Sequence, residues 1–149
     1  MLLFICTGNT CRSPMAEALA AAMLTKSNPK LRIASAGVAA AMAAAASNHA
    51  ISVMEEHGIN IQPHRSQAAT IPLLNEAKLI LTMTTHHRQA IIMLHPECEA
   101  KTHTLAAYAG EMIEVSDPFG GDCETYRRCA AQIKSLLEKS IDRLLLDFN

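Results

Sequence analysis

Residues 6–13 read CTGNTCRS, which places two cysteines, a glycine, an arginine and a serine on one short turn. Three kinds of chemistry use such a set: a bound metal, a structural disulfide, or a thiolate held against a phosphate. In the third, a short loop containing Gly8 turns its backbone N–H groups inward, and the N-terminus of a following helix adds a positive dipole end. Thr7, Asn9, Thr10, Cys11 and Ser13 complete such an anion cradle. Arg12 would grip two oxygens of a tetrahedral anion with its planar fork, a bidentate contact that lysine does not offer. At the mouth of the cradle Cys6 would feel the N–H groups, the dipole and Arg12. All three favour thiolate over thiol and make it a nucleophile.

That chemistry needs a strand before the turn and a helix after it. Leu2–Cys6 is a short apolar run of the kind a buried parallel strand shows. Ser13 is a candidate cap for the next helix, Pro14 suits its first position, and MAEALAAAML continues in strong helix formers. Leu31–Gly37 and Lys78–Met83 read as further strands, and Thr102–Ala109 as a weaker one. Helices are expected over SNHAISVMEEHG, with Ser47 near its start and Gly58 as its stop, and over TTHHRQAIIML. The tail adds a helix with Ile133, Leu136, Leu137, Ile141, Leu144 and Leu145 at helical spacing. Strands alternating with helices predict an α/β fold, a four-stranded parallel sheet between two helical layers. The alanine-rich run 39–46 fits either a loop or a helix start. In such folds ligands bind beyond the carboxyl ends of the strands, and Cys6 ends the first one.

Composition narrows the three chemistries. A chain of 149 residues, 50% hydrophobic and 18% charged, is expected to form one domain over residues 1–149 with a core of its own. The net charge of -1 gives no broad positive field for nucleic acid or acidic lipid. The longest wholly apolar run, Val38–Ala46, is too short to cross a bilayer, and no basic region precedes the apolar N-terminus. A cytoplasmic protein with no membrane partner is therefore expected. Five irregularly spaced cysteines do not form a secreted disulfide framework. Nor does a metal fit: His86 and His87 are adjacent and would point about 100° apart on a helix, and no CxxC pair occurs. Surface positions are expected for the seven histidines, core positions for the methionines at helical spacing, and buried or idle roles for Cys98, Cys123 and Cys129. Cys6 and Cys11 share one curled loop, so oxidation can join them if their Cα atoms lie within about 7 Å.

With the strand, CTGNTCRS and the Pro-started helix in place, the sequence resembles the low-molecular-weight protein tyrosine phosphatase family. Its Cys-x5-Arg-Ser signature follows the first strand. Asn9, Ser35 in SAG, His64 in HRS and Asp117-Pro118 in SDPFGG fall on that family's landmarks, so the resemblance covers nearly the whole chain. It implies a cysteinyl-phosphate intermediate on Cys6, phosphate binding by Arg12, a hydrogen bond from Ser13 to the thiolate, and Asp117 as general acid. It further implies that Asn9, Ser35 and His64 hold the loop in shape, that no cofactor is needed, and that a monomer acts on phosphorylated proteins. The chemistry of Asp117 agrees: the leaving group needs a proton, and an acidic side chain on an Asp-Pro turn followed by Phe-Gly-Gly can supply it.

Two other functions share this fold or loop. A thiol arsenate reductase needs a downstream cysteine pair to relay its disulfide, and Lys78–Ala90, where relatives carry one, has no cysteine. A non-enzymatic redox or anion sensor would not need Asp117. Among phosphatases, tyrosine-selective members commonly place a bulky aliphatic residue where Thr10 stands, paired tyrosines at Phe119 and Gly120, and often an aromatic residue near Ala39–Ala46. The chain is similar instead to the bacterial branch with CTGNTCRS and DPFGG, which implies phosphoarginine as the substrate and phosphotyrosine as the alternative. There Thr10 would accept from guanidino N–H donors, and Phe119 would lie against the guanidino plane.

Overall fold

The computed structural model describes residues 1–149. Strands β1 (Leu2–Cys6), β2 (Ile33–Gly37), β3 (Leu79–Thr82) and β4 (Thr102–Thr104) form one sheet in the order β2-β1-β3-β4, and every pairing is parallel. The helices are α1 (Arg12–Leu24), α2 (Asn48–Glu56), α3 (Ile71–Glu76), α4 (Thr85–Leu94), α5 (Leu105–Tyr108) and α6 (Cys123–Phe148). The expected α/β architecture is the one formed.

Alternation along β1 builds the core. Leu2 and Phe4 face one way, into a cluster with α1, α2 and α6 that includes Met15, Leu19, Val53, Ile133 and Leu137. Leu3 and Ile5 face the other way, against Leu74 of α3 and Ile91 of α4. Covered on both faces, β1 has no polar position to spare, which is why it reads as an unbroken apolar run. The chain leaves β1 toward β2 on one side and returns to β3 on the other. The crevice where connections diverge therefore opens at the carboxyl ends of β1 and β3, where Cys6 lies.

Several local expectations change. Ser13 does not cap α1: that helix starts after Cys11 with no capping side chain, and Ser13 sits inside it with its hydroxyl on Cys6. The other five helices are capped, by Ser47, Thr70, Thr84, Thr104 and Asp122. Only Thr102–Thr104 of the expected fourth strand is extended, because the Thr104 hydroxyl accepts from the Ala107 N–H and turns the next residues into α5. The alanine-rich run is a loop, kinked at Ala43 (φ 55°) and tied to its neighbour by one bridge between Ala45 and Arg65. Met42, Met93 and Met112 are more than 80% exposed rather than in the core. His87 is buried rather than on the surface.

Gly37 ends β2 against the turn. A Cβ there would lie 2.4 Å from the Thr7 carbonyl oxygen and 3.1 Å from the Asn9 nitrogen, so only glycine lets the two backbones meet. At Gly8 a Cβ would meet nothing nearer than the Thr10 hydroxyl at 3.7 Å. Gly37→Ala is therefore expected to lower stability in urea unfolding by about 1–3 kcal/mol, whereas Gly8→Ala costs much less. Equal losses would show that the loop does not depend on this close approach.

Candidate active site

Beyond β1 the chain curls around a cavity of about 260 Å³ lined by Cys6, Thr7, Gly8, Thr10, Cys11, Arg12, Asp117 and Phe119. Six of these come from the stretch 6–12 named from the sequence, and Asp117 and Phe119 close the far side. Asn9, Ser13, Ser35 and His64 do not line the cavity; they lie behind the loop. The uncapped start of α1 meets the same turn, so no side chain takes up its first N–H groups. Among α1–α6 it is the one N-terminus without a capping side chain, and its N–H groups are ready for an anion.

Asn9 shapes the turn. It is fully buried with φ 55°, a left-handed conformation that asparagine tolerates better than most residues. Its Nδ2 donates to Ser13 Oγ at 2.8 Å and to Ser35 Oγ at 2.9 Å, while its Oδ1 accepts from the Gln67 N–H at 3.0 Å. The backbone N–H of Asn9 points at Cys6 Sγ, 3.3 Å away. Its carbonyl accepts from His64 Nε2 at 2.8 Å, which requires a proton on that nitrogen. Ser13 accepts from Asn9, and its own proton has two acceptors in reach, Cys6 Sγ at 2.9 Å and the Ala36 carbonyl at 3.5 Å, of which the sulfur is the nearer. Ser35 in turn donates to Glu17 Oε2 at 2.5 Å. Glu17 escaped the sequence reading, although it stands four residues after Ser13 on the same helix face.

Arg12 is buried, with its side chain only 6% exposed. Nη1 donates to the Val115 carbonyl at 3.0 Å and Nη2 lies 3.5 Å from Asp117 Oδ2. The guanidinium is thus held in plane at the cavity wall. Asp117 is 53% exposed, and its Oδ1 accepts from the Phe119 N–H at 3.1 Å, closing the Asp-Pro turn on itself. The Phe119 ring stands in solvent at the rim. The Thr10 hydroxyl has one neighbour, Cys11 Sγ at 3.7 Å, and no backbone partner. Cys11 Sγ also meets Tyr126 OH at 3.2 Å and Ser47 Oγ at 3.5 Å. All five cysteines are free, and burial pushes the Cys129 thiol up to about 12, where it stays protonated.

His87 was also missed, because its role depends on α4 crossing behind the loop. Its Nε2 is hydrogen-bonded to Thr7 Oγ1 at 2.8 Å and its Nδ1 to Thr84 Oγ1 at 3.1 Å. A neutral imidazole has one donor and one acceptor, so two hydroxyls satisfy it in either tautomer. Burial, and then the Arg12 charge, lower it to about 4.

A buried thiol facing an uncapped helix end, with an arginine fork on one side and a carboxylate opposite, is built for phosphoryl transfer through sulfur. Residues 1–147 match the family described as low molecular weight phosphotyrosine protein phosphatase. The chain belongs to this family. It is 40% identical over 144 residues to a protein-arginine-phosphatase of Geobacillus stearothermophilus, covering 96% of this chain and 95% of that one. It is 36% identical over 138 residues to a low molecular weight protein-tyrosine-phosphatase, PtpB, of Staphylococcus epidermidis, covering 93% and 94%. Among solved structures it superimposes with a TM-score of 0.91 on the arginine phosphatase YwlE. The form solved is a cysteine-to-serine mutant with a phosphorylated active-site serine, 35% identical, covering 96% of this chain and 94% of that one. The chain is accordingly a cysteine-dependent phosphatase.

The buried His87 gives this phosphatase an acid-labile prop. Its folded value, about 4, lies below the ordinary 6.5, so the unfolded chain binds the proton first. Stability from this group is full above about 6.5 and is lost as pH falls toward 4. The melting temperature should drop through that window, and the drop should be smaller for His87→Gln. Identical pH profiles for the two proteins would remove His87 from the account.

Proposed function

We propose that this phosphatase removes phosphate from arginine side chains of proteins through a phosphoryl group carried on Cys6. Cys6 Sγ attacks phosphorus while the turn's N–H groups and Arg12 hold the non-bridging oxygens. The P–N bond breaks as Asp117 gives its proton to the departing guanidino nitrogen. Asp117, now a carboxylate, takes a proton from the water that attacks the S–P bond, and Cys6 leaves as thiolate with the Ser13 hydroxyl donating to it. The mutant YwlE structure, with its phosphoryl group on the serine that replaces cysteine, supports the covalent step. Cys6, Arg12 and Asp117 all meet within a single copy of the chain, which supports action as a monomer. Five free thiols suit action in the reducing cytoplasm.

The observation that carries the choice of arginine is the Thr10 hydroxyl, on the cavity wall without a backbone partner. A guanidino group brings N–H donors to that wall, and an aliphatic residue there would leave them unpaired. Phe119 at the rim lies free to cover the guanidino plane. The named arginine phosphatase at 40% identity supports the same choice. Phosphotyrosine is the second reading, favoured by the PtpB relative; its ring has no donors for Thr10 and would rely on apolar contact, for which Phe119 is the one aromatic residue lining the cavity.

Two variants test the reading. Asp117→Asn should lower turnover by about 10²- to 10⁴-fold with phosphate binding largely kept, and an unchanged rate would require another acid. Thr10→Ile should shift the ratio of phosphoarginine to phosphotyrosine hydrolysis toward tyrosine by about 1–3 kcal/mol in relative transition-state binding. A wild-type ratio in that variant would remove the physical support for arginine.

A further inference from the structure

Six of the seven arginines are engaged. Arg12 is on Val115 and Asp117, Arg32 on Glu76, Arg65 on the Gln62 and His64 carbonyls, Arg88 on Thr102 and Glu99, Arg127 on Glu56 and Glu124, and Arg143 on Tyr108. Arg128 alone makes neither a hydrogen bond nor an ion pair, and it is exposed. It stands on the second turn of α6, at a cleft of about 230 Å³ between that helix and the segment Ser116–Pro118.

This cleft is separate from the catalytic cavity but shares Asp117 with it. A chain whose phosphorylated side chain enters the cavity beside Asp117 has the cleft and Arg128 open to its neighbouring residues across that shared wall. The other charges nearby are already committed. Asp117 faces Arg12, and Asp122 accepts from the Thr125 N–H and hydroxyl to cap α6. The Gln132 amide nitrogen is spent on the Ile113 and Glu114 carbonyls. What remains open in the cleft is one unpaired guanidinium, shaped to take a carboxylate with two N–H groups.

We propose that Arg128 is a specificity residue of this phosphatase, binding an aspartate or glutamate side chain next to the phosphorylated residue of a protein substrate. The proposal rests on the reading of the chain as a phosphatase of protein phosphoarginine. It assigns Arg128 no part in the chemistry, since Arg128 does not line the cavity that holds Cys6.

The test compares three phosphoarginine peptides that differ only in having Glu, Gln or Lys beside the phosphorylated residue, with p-nitrophenyl phosphate as the internal reference. The wild-type protein should prefer the Glu peptide over the Lys peptide by about fivefold in kcat/KM, the upper range for an exposed ion pair. High salt should shrink the preference. Arg128→Gln should bring the ratio near one and Arg128→Glu should invert it, with p-nitrophenyl phosphate turnover unchanged in both as evidence of intact folding. An unaltered Glu-to-Lys ratio in Arg128→Glu would overturn the subsite while leaving the phosphatase reading intact. Turnover of p-nitrophenyl phosphate without hydrolysis of any of the three phosphoarginine peptides would instead overturn the phosphoarginine reading, and the subsite with it.

Discussion

Asn9 is a buried residue in a left-handed backbone conformation, and the reactive turn depends on its staying there. That conformation costs a non-glycine residue about 1–2 kcal/mol. It persists because Ser13, Ser35, Gln67 and His64 take up its side chain and carbonyl. The same bonds set the chemistry. By donating to Ser13, Asn9 orients the hydroxyl beside Cys6, whose sulfur is the nearest acceptor for its proton; by reversing the chain, Asn9 aims its own N–H at the sulfur. The cradle is therefore held by the protein's own hydrogen bonds rather than by contacts to phosphate, which is the condition under which hydrogen-bond donors lower a barrier without reorganising. Glu17 and Gly37 belong to this constraint, one by fixing the Ser35 hydroxyl and the other by giving the turn room.

The two sides of the cavity are built differently. On the nucleophile's side Cys6, Asn9, Arg12 and Ser13 are buried and hydrogen-bonded, and the loop is anchored to β1, β2 and, through Thr7 and His87, to α4 behind β3. Arg12 reaches from this side to the Val115 carbonyl, and Val115 is itself bonded to Met83 at the end of β3. Past Val115 the chain becomes exposed, and Asp117 and Phe119 stand there with few ties. Such an asymmetry suits the proposed reaction. Phosphorus and sulfur need fixed geometry, whereas the acid must meet leaving groups of varied shape and later admit water. The cleft at Arg128 lies on the looser side, where the rest of a substrate chain would pass.

Contiguous chemistry was legible in the sequence; chemistry assembled across the fold was not. The order strand, CTGNTCRS, helix is a local matter of apolar run, turn residues and helix formers, so β1, the loop and α1 stand where they were expected. Ser47 as the cap of α2 and the apolar spacing of α6 are equally local. Ser13 misled because a serine before proline at a helix start has two uses, and only the position of the Cys6 sulfur decides between them. Thr104 misled in the opposite sense: a β-branched residue ended a strand and capped a helix. His87 and Tyr126 touch the loop from 80 and 115 residues away, and no pattern within either segment announces it. Ser35 and His64 came from resemblance alone; the hydrogen bonds to Asn9 supply their physical reason.

The central claim is that Cys6 carries the phosphoryl group. It is tested most directly by quenching the enzyme in acid during turnover of a radiolabelled phosphoarginine peptide and locating the label by peptide mapping. The account predicts transient label on the peptide that contains Cys6, appearing with the first turnover and discharged by water. Steady hydrolysis with no labelled enzyme at any time, or label on another residue, would contradict it.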